Sequence, residues 1–200
     1  MASRVPAEQP VPVPETRRAD AERNVLRIQE AAIRLWADEP NAGVADVAAA
    51  AGVGRATLYR HFPTRESLLE AIRHQGLADG EAAVEACRLN EGRATDALSR
   101  LLAAWLELGD RYRVVVANPS QAHNVEARLR EEQLGESMVT LIVRGQAEGD
   151  FSKDLPPLWG ASAVGALLGA AIQGVGEGRI GREEAHPLLI KSAVGVLRAG

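Results

Sequence analysis

Cysteine is almost absent from this sequence, and so are the usual motifs of secreted proteins and enzymes. The 200 residues include one cysteine, Cys87, which excludes an intrachain disulfide and a cysteine-rich zinc site. The N-terminus lacks the basic and apolar run of a secretory signal, so we expect a cytoplasmic protein. The four histidines are scattered, and no phosphate-binding glycine loop or nucleophile elbow is present. The sequence therefore predicts no metal site, no cofactor and no enzymatic activity.

Lysine and aromatic residues are also scarce. Two of the 23 basic residues are lysines, Lys153 and Lys191, so the other 21 are arginines. Arginine suits bidentate contacts with phosphates and bases, although a GC-rich genome explains the same bias. The formal net charge of −4 argues mildly against a nucleic-acid partner and predicts modest non-specific affinity for DNA.

The apolar pattern predicts an all-α fold. Residues 1–16 hold four of the ten prolines and no periodic pattern, which predicts a disordered tail. A first helix starts near Asp20, two short helices follow at 45–51 and 55–62, and Thr64 is placed to cap a fourth that begins at Arg65. Further helices are predicted at 94–116, 120–133, 135–148, 157–175 and 182–198. We therefore divide the chain into 1–16, 17–75 and 76–200.

Residues 44–62 have the pattern of a helix-turn-helix. Ala48 and Ala51 permit close helix approach, and Gly52 can take the positive-φ position of the turn. Val47, Val53, Leu58 and Phe62 are expected to pack on Ile28, Leu35 and Trp36 of the first helix. The stretch from Val53 to Arg65 carries three arginines and no acidic residue, unlike the acidic chain as a whole. A second helix of this kind places its N-terminal residues against base edges in the major groove.

The segment Ala51–Leu68, read as AGVGRATLYRHFPTRESL, closely resembles the signature of the tetracycline-repressor (TetR) family. The resemblance covers about residues 20 to 75; residues 76–200 match only in length, helicity and helix order. It implies an N-terminal three-helix helix-turn-helix domain that binds double-stranded DNA, followed by a helical domain for ligand binding and dimerisation. The predicted DNA-contacting residues are Ala45, Arg55, Ala56, Thr57, Tyr59, Arg60, His61 and Arg65.

Within that set the resemblance implies different roles. Tyr59, His61 and Arg65 would contact phosphates, whereas Arg55, Ala56 and Thr57 would face base edges. Ala45 offers at most a contact with a thymine methyl group. Gly43 and Gly54 stand where the family often has hydroxyl residues, so a cap and a phosphate contact are expected to be lost.

The segment 155–176 has no charged residue over 22 positions, which is long enough for a membrane span. Its five glycines and two prolines favour instead a buried helix with a small-residue stripe and no membrane partner. With the last helix it predicts a homodimer on a palindromic operator, although an intrachain core would use the same residues. The predicted interface residues are Ala161, Gly165, Gly169, Leu188, Leu189, Val194 and Leu197.

The resemblance also implies a small-molecule effector that releases DNA. Candidate pocket residues are Trp105, Tyr112, His123, Arg128, Met138 and Trp159, each of which could equally be ordinary core or surface. The sequence thus predicts a ligand-responsive transcriptional regulator, with repressor favoured. Two alternatives remain open: a helix-turn-helix protein without an effector, and an all-α module whose N-terminal match is vestigial.

Overall fold

The computed structural model describes residues 15–116 and 125–199. Within these two ranges all regular structure is helical, which confirms the predicted fold class. The helices are α1 (Glu15–Asp38), α2 (Val44–Ala51), α3 (Arg55–His61), α4 (Arg65–Ala86), α5 (Ala94–Arg111), α6 (Arg113–Val116), α7 (Val125–Glu148), α8 (Pro157–Gly176) and α9 (Arg182–Arg198). The predicted tail lies outside the described residues except for its last two positions, which are the first two of α1.

The turn between α2 and α3 forms as the sequence predicts. Gly52 has φ of 64°, a left-handed conformation that an L side chain rarely adopts. The next amide, that of Val53, donates to the carbonyl of Ala48 at 3.0 Å and closes the turn. At the start of α4, Thr64 Oγ1 accepts a hydrogen bond from the Ser67 amide at 3.1 Å, so the predicted N-cap is confirmed.

The buried apolar side chains form two separate hydrophobic cores. The first core is formed by the four helices α1, α2, α3 and α4 together with the α5–α6 junction. It buries Ile28, Trp36, Val47, Leu58 and Phe62, as predicted. Val53 and Leu35 are only partly buried at its edge. The second core lies among α5, α7, α8 and α9. Because α4 is continuous from Arg65 to Ala86, the predicted boundary at 75/76 falls inside a helix.

Two predicted helix boundaries differ in the structure. The break predicted between 133 and 135 is wrong, since α7 runs unbroken to Glu148. Leu134 packs beside Gly80 of α4, and Met138 is buried in the second core, so tertiary contacts on both sides outweigh the helix cost of Gly135. The predicted helix 94–116 is interrupted at Tyr112, because α6 turns Val114 and Val115 into the first core. Residues 117–124 lie outside the description.

Helix α8 is only partly buried within the single chain. Only 28% of its most apolar stretch is buried, although the helix is long and apolar enough by composition to cross a membrane. One such helix is weak support for a membrane protein. Gly160 and Val164 pack on the second core, whereas a Cβ added at Gly165 or Gly169 would meet open space. The helix therefore has one packed and one open face.

Candidate nucleic-acid interface and ligand clefts

Helix α3 presents a polar, basic surface outside a buried anchor. Leu58 is fully buried against α1 and α2, and this fixes which side of the helix faces outward. Arg55, Ala56, Tyr59 and Arg60 are exposed as a result. Within the described ranges neither Arg55 nor Arg60 has a hydrogen bond or an ion pair, so both guanidinium groups are free to bind an anion or a base edge.

Three other predicted DNA-contacting residues are less accessible. Thr57 and Ala45 are half-buried, at the inner side of α3 and at the start of α2. His61 is half-buried beside Phe62, with 6.4 Å between the ring centroids. Its Nε2 atom is enclosed and has no hydrogen-bond partner in the described chain. A phosphate contact by His61 would therefore need Nδ1 or a rotated ring.

Arg65 holds the loop between α1 and α2. Its Nη1 atom donates to the carbonyl of Ala42 at 2.8 Å, and Nη2 donates to the carbonyl of Pro40 at 2.7 Å. The guanidinium carbon lies 4.0 Å from the centroid of the Trp36 ring, a cation–π distance. Trp36 Nε1 also donates to the Ala42 carbonyl, at 2.9 Å. We call this group of Trp36, Pro40, Ala42 and Arg65 the loop clasp.

Arg27 has a positioning role that periodicity did not indicate. From α1, its Nη2 atom donates to the carbonyl of Ala51 at 2.8 Å. This bond satisfies a carbonyl at the C-terminus of α2, where cations are favoured. Because this carbonyl acceptor is 24 residues away along the chain, the local spacing of residues in α1 could not predict the contact. At the other end of α2, the Asp46 carboxylate accepts from the Gly43 amide at 2.8 Å.

Two clefts open into the C-terminal helices on either side of Trp105. The α4 cleft, of about 490 Å³, lies among α4, α5, α7 and α8 and includes Tyr112. The α8 cleft, of about 470 Å³, lies among α5, α7 and α8 and includes Met138. Trp105, Gly135 and Leu168 line both clefts. Of the predicted effector residues, Trp105, Tyr112 and Met138 therefore come together.

The remaining predicted effector residues do not join them. Arg128 is exposed on α7, and Trp159 is 66% exposed at the start of α8; neither lines a cleft. Their placement follows from the faces of α7 and α8 that pack inward, which sequence alone did not specify. His123 lies outside the described residues.

Side-chain pairs connect the α5–α6 junction with α4 and α1. The Tyr112 hydroxyl donates to Asp79 Oδ2 at 2.6 Å, and Arg111 forms an ion pair with Glu30 of α1. Burial raises the pKa of the Tyr112 hydroxyl, and the hydrogen bond to the Asp79 carboxylate raises it further. The hydroxyl therefore stays a proton donor at physiological pH. The cleft-lining Tyr112 is thus bonded to α4, and the adjacent Arg111 pairs the same junction with α1.

The predicted interface residues divide between two environments. Leu189 and Leu197 are buried in the chain's own second core, so the single chain already covers both side chains. Val194 and Ala161 are half-buried against that core. Leu188 is 51% exposed, and Gly165 and Gly169 face open space. The exposed apolar side chains of α8 and α9 thus include Leu188 and also Trp159, which the sequence predicted to line a pocket.

Comparison with known proteins identifies the family. A family model described as bacterial regulatory proteins, tetR family, matches residues 28–72. The transcriptional repressor LfrR of Mycolicibacterium smegmatis is 32% identical over 157 residues, which cover 78% of this chain and 82% of LfrR. The chain belongs to the TetR family. It is therefore a DNA-binding transcriptional regulator and not an enzyme, as predicted.

Other similarities agree with this TetR-family assignment. The regulator NfxB of Pseudomonas aeruginosa is 30% identical over 125 residues, which cover 59% of this chain and 64% of NfxB. The crystal structure of LfrR from Mycobacterium smegmatis in complex with proflavine has a TM-score of 0.76 and 28% identity, and covers 90% of this chain and 99% of that one. The helical domain beyond the matched segment thus has the arrangement of a family member.

Proposed function

We propose that this TetR-family regulator is a homodimeric repressor that a small molecule releases from a palindromic operator. The observation that carries the proposal is that one chain has both an outward basic surface on α3, whose arginines lack ion-pair partners in the described residues, and two apolar clefts around Trp105. Its place of action is the cytoplasm. The LfrR complex with proflavine supports a small-molecule effector, since that protein shares the helix arrangement.

Residues 17–75 form the DNA-binding unit in this proposal, and 76–200 the effector and dimer unit. Arg55, Ala56 and Thr57 face base edges, and an arginine bidentate to guanine supplies about 1–3 kcal/mol of discrimination. Tyr59 and Arg60 contact phosphates from the exposed face of α3. The remaining proposed contacts are those of Ala45, His61 and Arg65, of which Arg65 has its terminal nitrogens engaged in the loop clasp.

Dimerisation uses the open faces of α8 and α9. Trp159 and Leu188 are large apolar side chains left exposed by the single chain. Covering them with a second copy removes apolar surface from water and brings two α3 helices together. Two α3 helices about one turn of DNA apart recognise a palindrome. A single seven-residue helix contacts too few base pairs for useful specificity.

Effector binding acts through the α5–α6 junction. A molecule in the α4 cleft contacts Tyr112, whose hydroxyl is bonded to Asp79 of α4. The adjacent Arg111 is paired with Glu30 of α1, so a shift of the junction displaces the DNA-binding unit. Release requires that the effector bind the displaced arrangement more tightly than the DNA-bound one.

Selection of bound duplexes from a random pool tests the proposal. We expect one enriched sequence with two inverted half-sites, a dimer by light scattering, and loss of binding on addition of a matching effector. Enrichment of a single half-site bound by a monomer would contradict the dimer. A palindrome bound equally with and without a broad panel of aromatic compounds would favour a constitutive DNA binder.

A further inference from the structure

Two charged residues stand at helix ends that are unfavourable for their charge. Asp110 lies in the last turn of α5, and Arg182 is the first residue of α9. The dipole of a helix favours acidic side chains at its start and basic side chains at its end, which is the reverse of both placements. Local helix preference therefore does not explain these two residues, and their contacts with other helices have to be considered.

The two side chains form an ion pair with each other. Arg182 Nη1 lies 2.5 Å from Asp110 Oδ2, and the Asp110 side chain is only 12% exposed, so the pair is sheltered on its acidic side. The other carboxylate oxygen, Oδ1, lies 3.5 Å from Nη1 of Arg113 in α6, which makes a second ion pair. Asp110 thus holds one arginine on each of its oxygens. We call Asp110, Arg113 and Arg182 the charge triad.

Arg113 extends the charge triad to the end of α1. Its Nη2 atom donates to the carbonyl of Ala37 at 3.0 Å and lies 3.5 Å from Asp38 Oδ1. Ala37 and Asp38 are the last two residues of α1, where a cation is favoured and carbonyls lack partners within the helix. Arg113 also passes close to the end of α8, since a Cβ added at Gly176 would lie 3.8 Å from Arg113 Cδ. The ends of α1 and α8 and the start of α9 therefore meet around the triad.

The helices that meet here belong to different cores. Helix α1 packs with α2 and α3 in the first core, whereas α8 and α9 belong to the second core and carry the open faces of the proposed dimer. In such a dimer, the angle between the first core and α8–α9 sets the distance between the two α3 helices. One base pair moves a half-site by about 3.4 Å along the DNA and rotates it by about 35°. A small change in that angle therefore decides which half-site spacing fits.

We propose that Asp110 is a positioning residue that fixes the angle between the DNA-binding unit and helices α8 and α9, and that it thereby sets how strictly the dimer selects the spacing of operator half-sites. This inference rests on the proposed dimer on a palindrome and adds a residue that determines spacing specificity. Asp110 acts through Arg113 on the end of α1 and not by contacting DNA. Without its carboxylate, Arg113 and Arg182 are left as neighbouring like charges that repel each other. The DNA-binding unit is then free to adopt a wider range of angles.

Operators with altered spacing test this role. The affinity of the full chain is measured for the selected operator and for two duplexes with one base pair added or removed between the half-sites. We expect the parent to bind the altered duplexes at least about tenfold more weakly than the operator, and Asp110→Asn no more than about threefold more weakly. The matched control Glu107→Gln removes an exposed carboxylate one turn earlier on α5 and should keep the parent's ratio. A variant that only unfolds more easily weakens binding to all three duplexes alike, so its ratio does not change.

A second pair of variants tests the link to α9. Arg182→Gln removes the charge that pairs with Asp110, whereas Arg179→Gln removes a nearby exposed arginine that pairs with Glu177 instead. We expect Arg182→Gln to relax the spacing ratio and Arg179→Gln to leave it as in the parent. The double variant Asp110→Asn/Arg182→Gln should relax the ratio no further than Asp110→Asn alone, because both changes remove the same ion pair.

The possible failures of this inference and of the proposed function are distinct. If the parent selects a palindrome of strict spacing and Asp110→Asn is equally strict, the inference is overturned while the proposed repressor function stands. The same holds if Glu107→Gln and Arg179→Gln relax the ratio as much as the triad variants do. Triad variants that are monomers in light scattering would also overturn it, because the triad would then stabilise the interface itself. Selection of a single half-site bound by a monomer would refute the proposed function, and this inference with it.

Discussion

Replacing Arg65 by alanine removes the side chain that joins α4 to the loop between α1 and α2. The change breaks two hydrogen bonds from the guanidinium group, to the carbonyls of Ala42 and Pro40, and its contact with the Trp36 ring. The loop clasp is thereby reduced to the bond from the Trp36 indole to the Ala42 carbonyl. The loop precedes α2, so its position affects the placement of α3, the helix proposed to read DNA.

The expected loss follows from these contacts. Hydrogen bonds to charged groups contribute about 1.5–3 kcal/mol each when buried, and an exposed cation–π contact contributes about 0.5–1 kcal/mol. Here the Ala42 carbonyl keeps a donor and the Pro40 bond is exposed, so no buried group is left unsatisfied. We expect the free energy of unfolding to fall by about 1.5 kcal/mol, at the lower end of that range.

Thermal unfolding and DNA titration together test this reasoning. A loss of about 1.5 kcal/mol lowers Tm by about 3–6 °C in a protein of this size. Arg65→Lys keeps the positive charge but not the pair of hydrogen bonds from one guanidinium group. We therefore expect about half of the loss in unfolding free energy. If Arg65 also binds a phosphate, removing it reduces the salt slope of DNA binding by about 0.9 per subunit. An unchanged Tm with a reduced slope would refute the clasp and leave a phosphate contact alone.

Further predictions concern packing and pH. In Gly145→Ala the new Cβ would lie 2.2 Å from Phe151 Cδ2, so we expect unfolding free energy to fall by about 1–3 kcal/mol in urea titrations. Gly135→Ala, in open space on α7, should raise it by about 0.5–1 kcal/mol, and a loss there would contradict the open space around this position. The Arg93 hydrogen bond holds the pKa of the Asp150 carboxyl below its usual range. The folded protein thus binds the proton more weakly than the unfolded chain. Stability from Asp150 should be present above about pH 4 and be lost as pH falls through the lower folded pKa. Asp150→Asn should flatten that acid limb of the unfolding profile, and an identical limb would contradict this assignment.

The helix-turn-helix could be predicted because its determinants are local. Small residues at Ala48 and Ala51, a left-handed Gly52 and a hydroxyl cap at Thr64 all act within a few residues along the chain. The bounds of α9 were predicted for the same reason, from Gly181 to the end of the apolar pattern. Local propensity and tertiary packing agree in these segments.

The remaining features depend on contacts between distant residues. Arg65 and Arg27 find carbonyl acceptors more than 20 residues away, so no spacing indicated their roles. Leu189 and Leu197 belong to a helix with apolar residues on more than one face, and sequence could not say which face packs inward. The clefts form where α5, α7 and α8 leave unfilled space between them. This depends on how the assembled helices pack, which the sequence did not specify.

The most direct test of DNA reading compares two variants on the selected operator and on a random duplex at one salt concentration. Arg55→Ala should lower the ratio of the two affinities by about tenfold or more, through loss of a base contact. Tyr59→Phe removes the hydroxyl that we propose to contact a phosphate, and it should weaken binding to both duplexes alike. If Arg55→Ala leaves the ratio unchanged, or if both variants lower it equally, α3 does not read the operator as proposed.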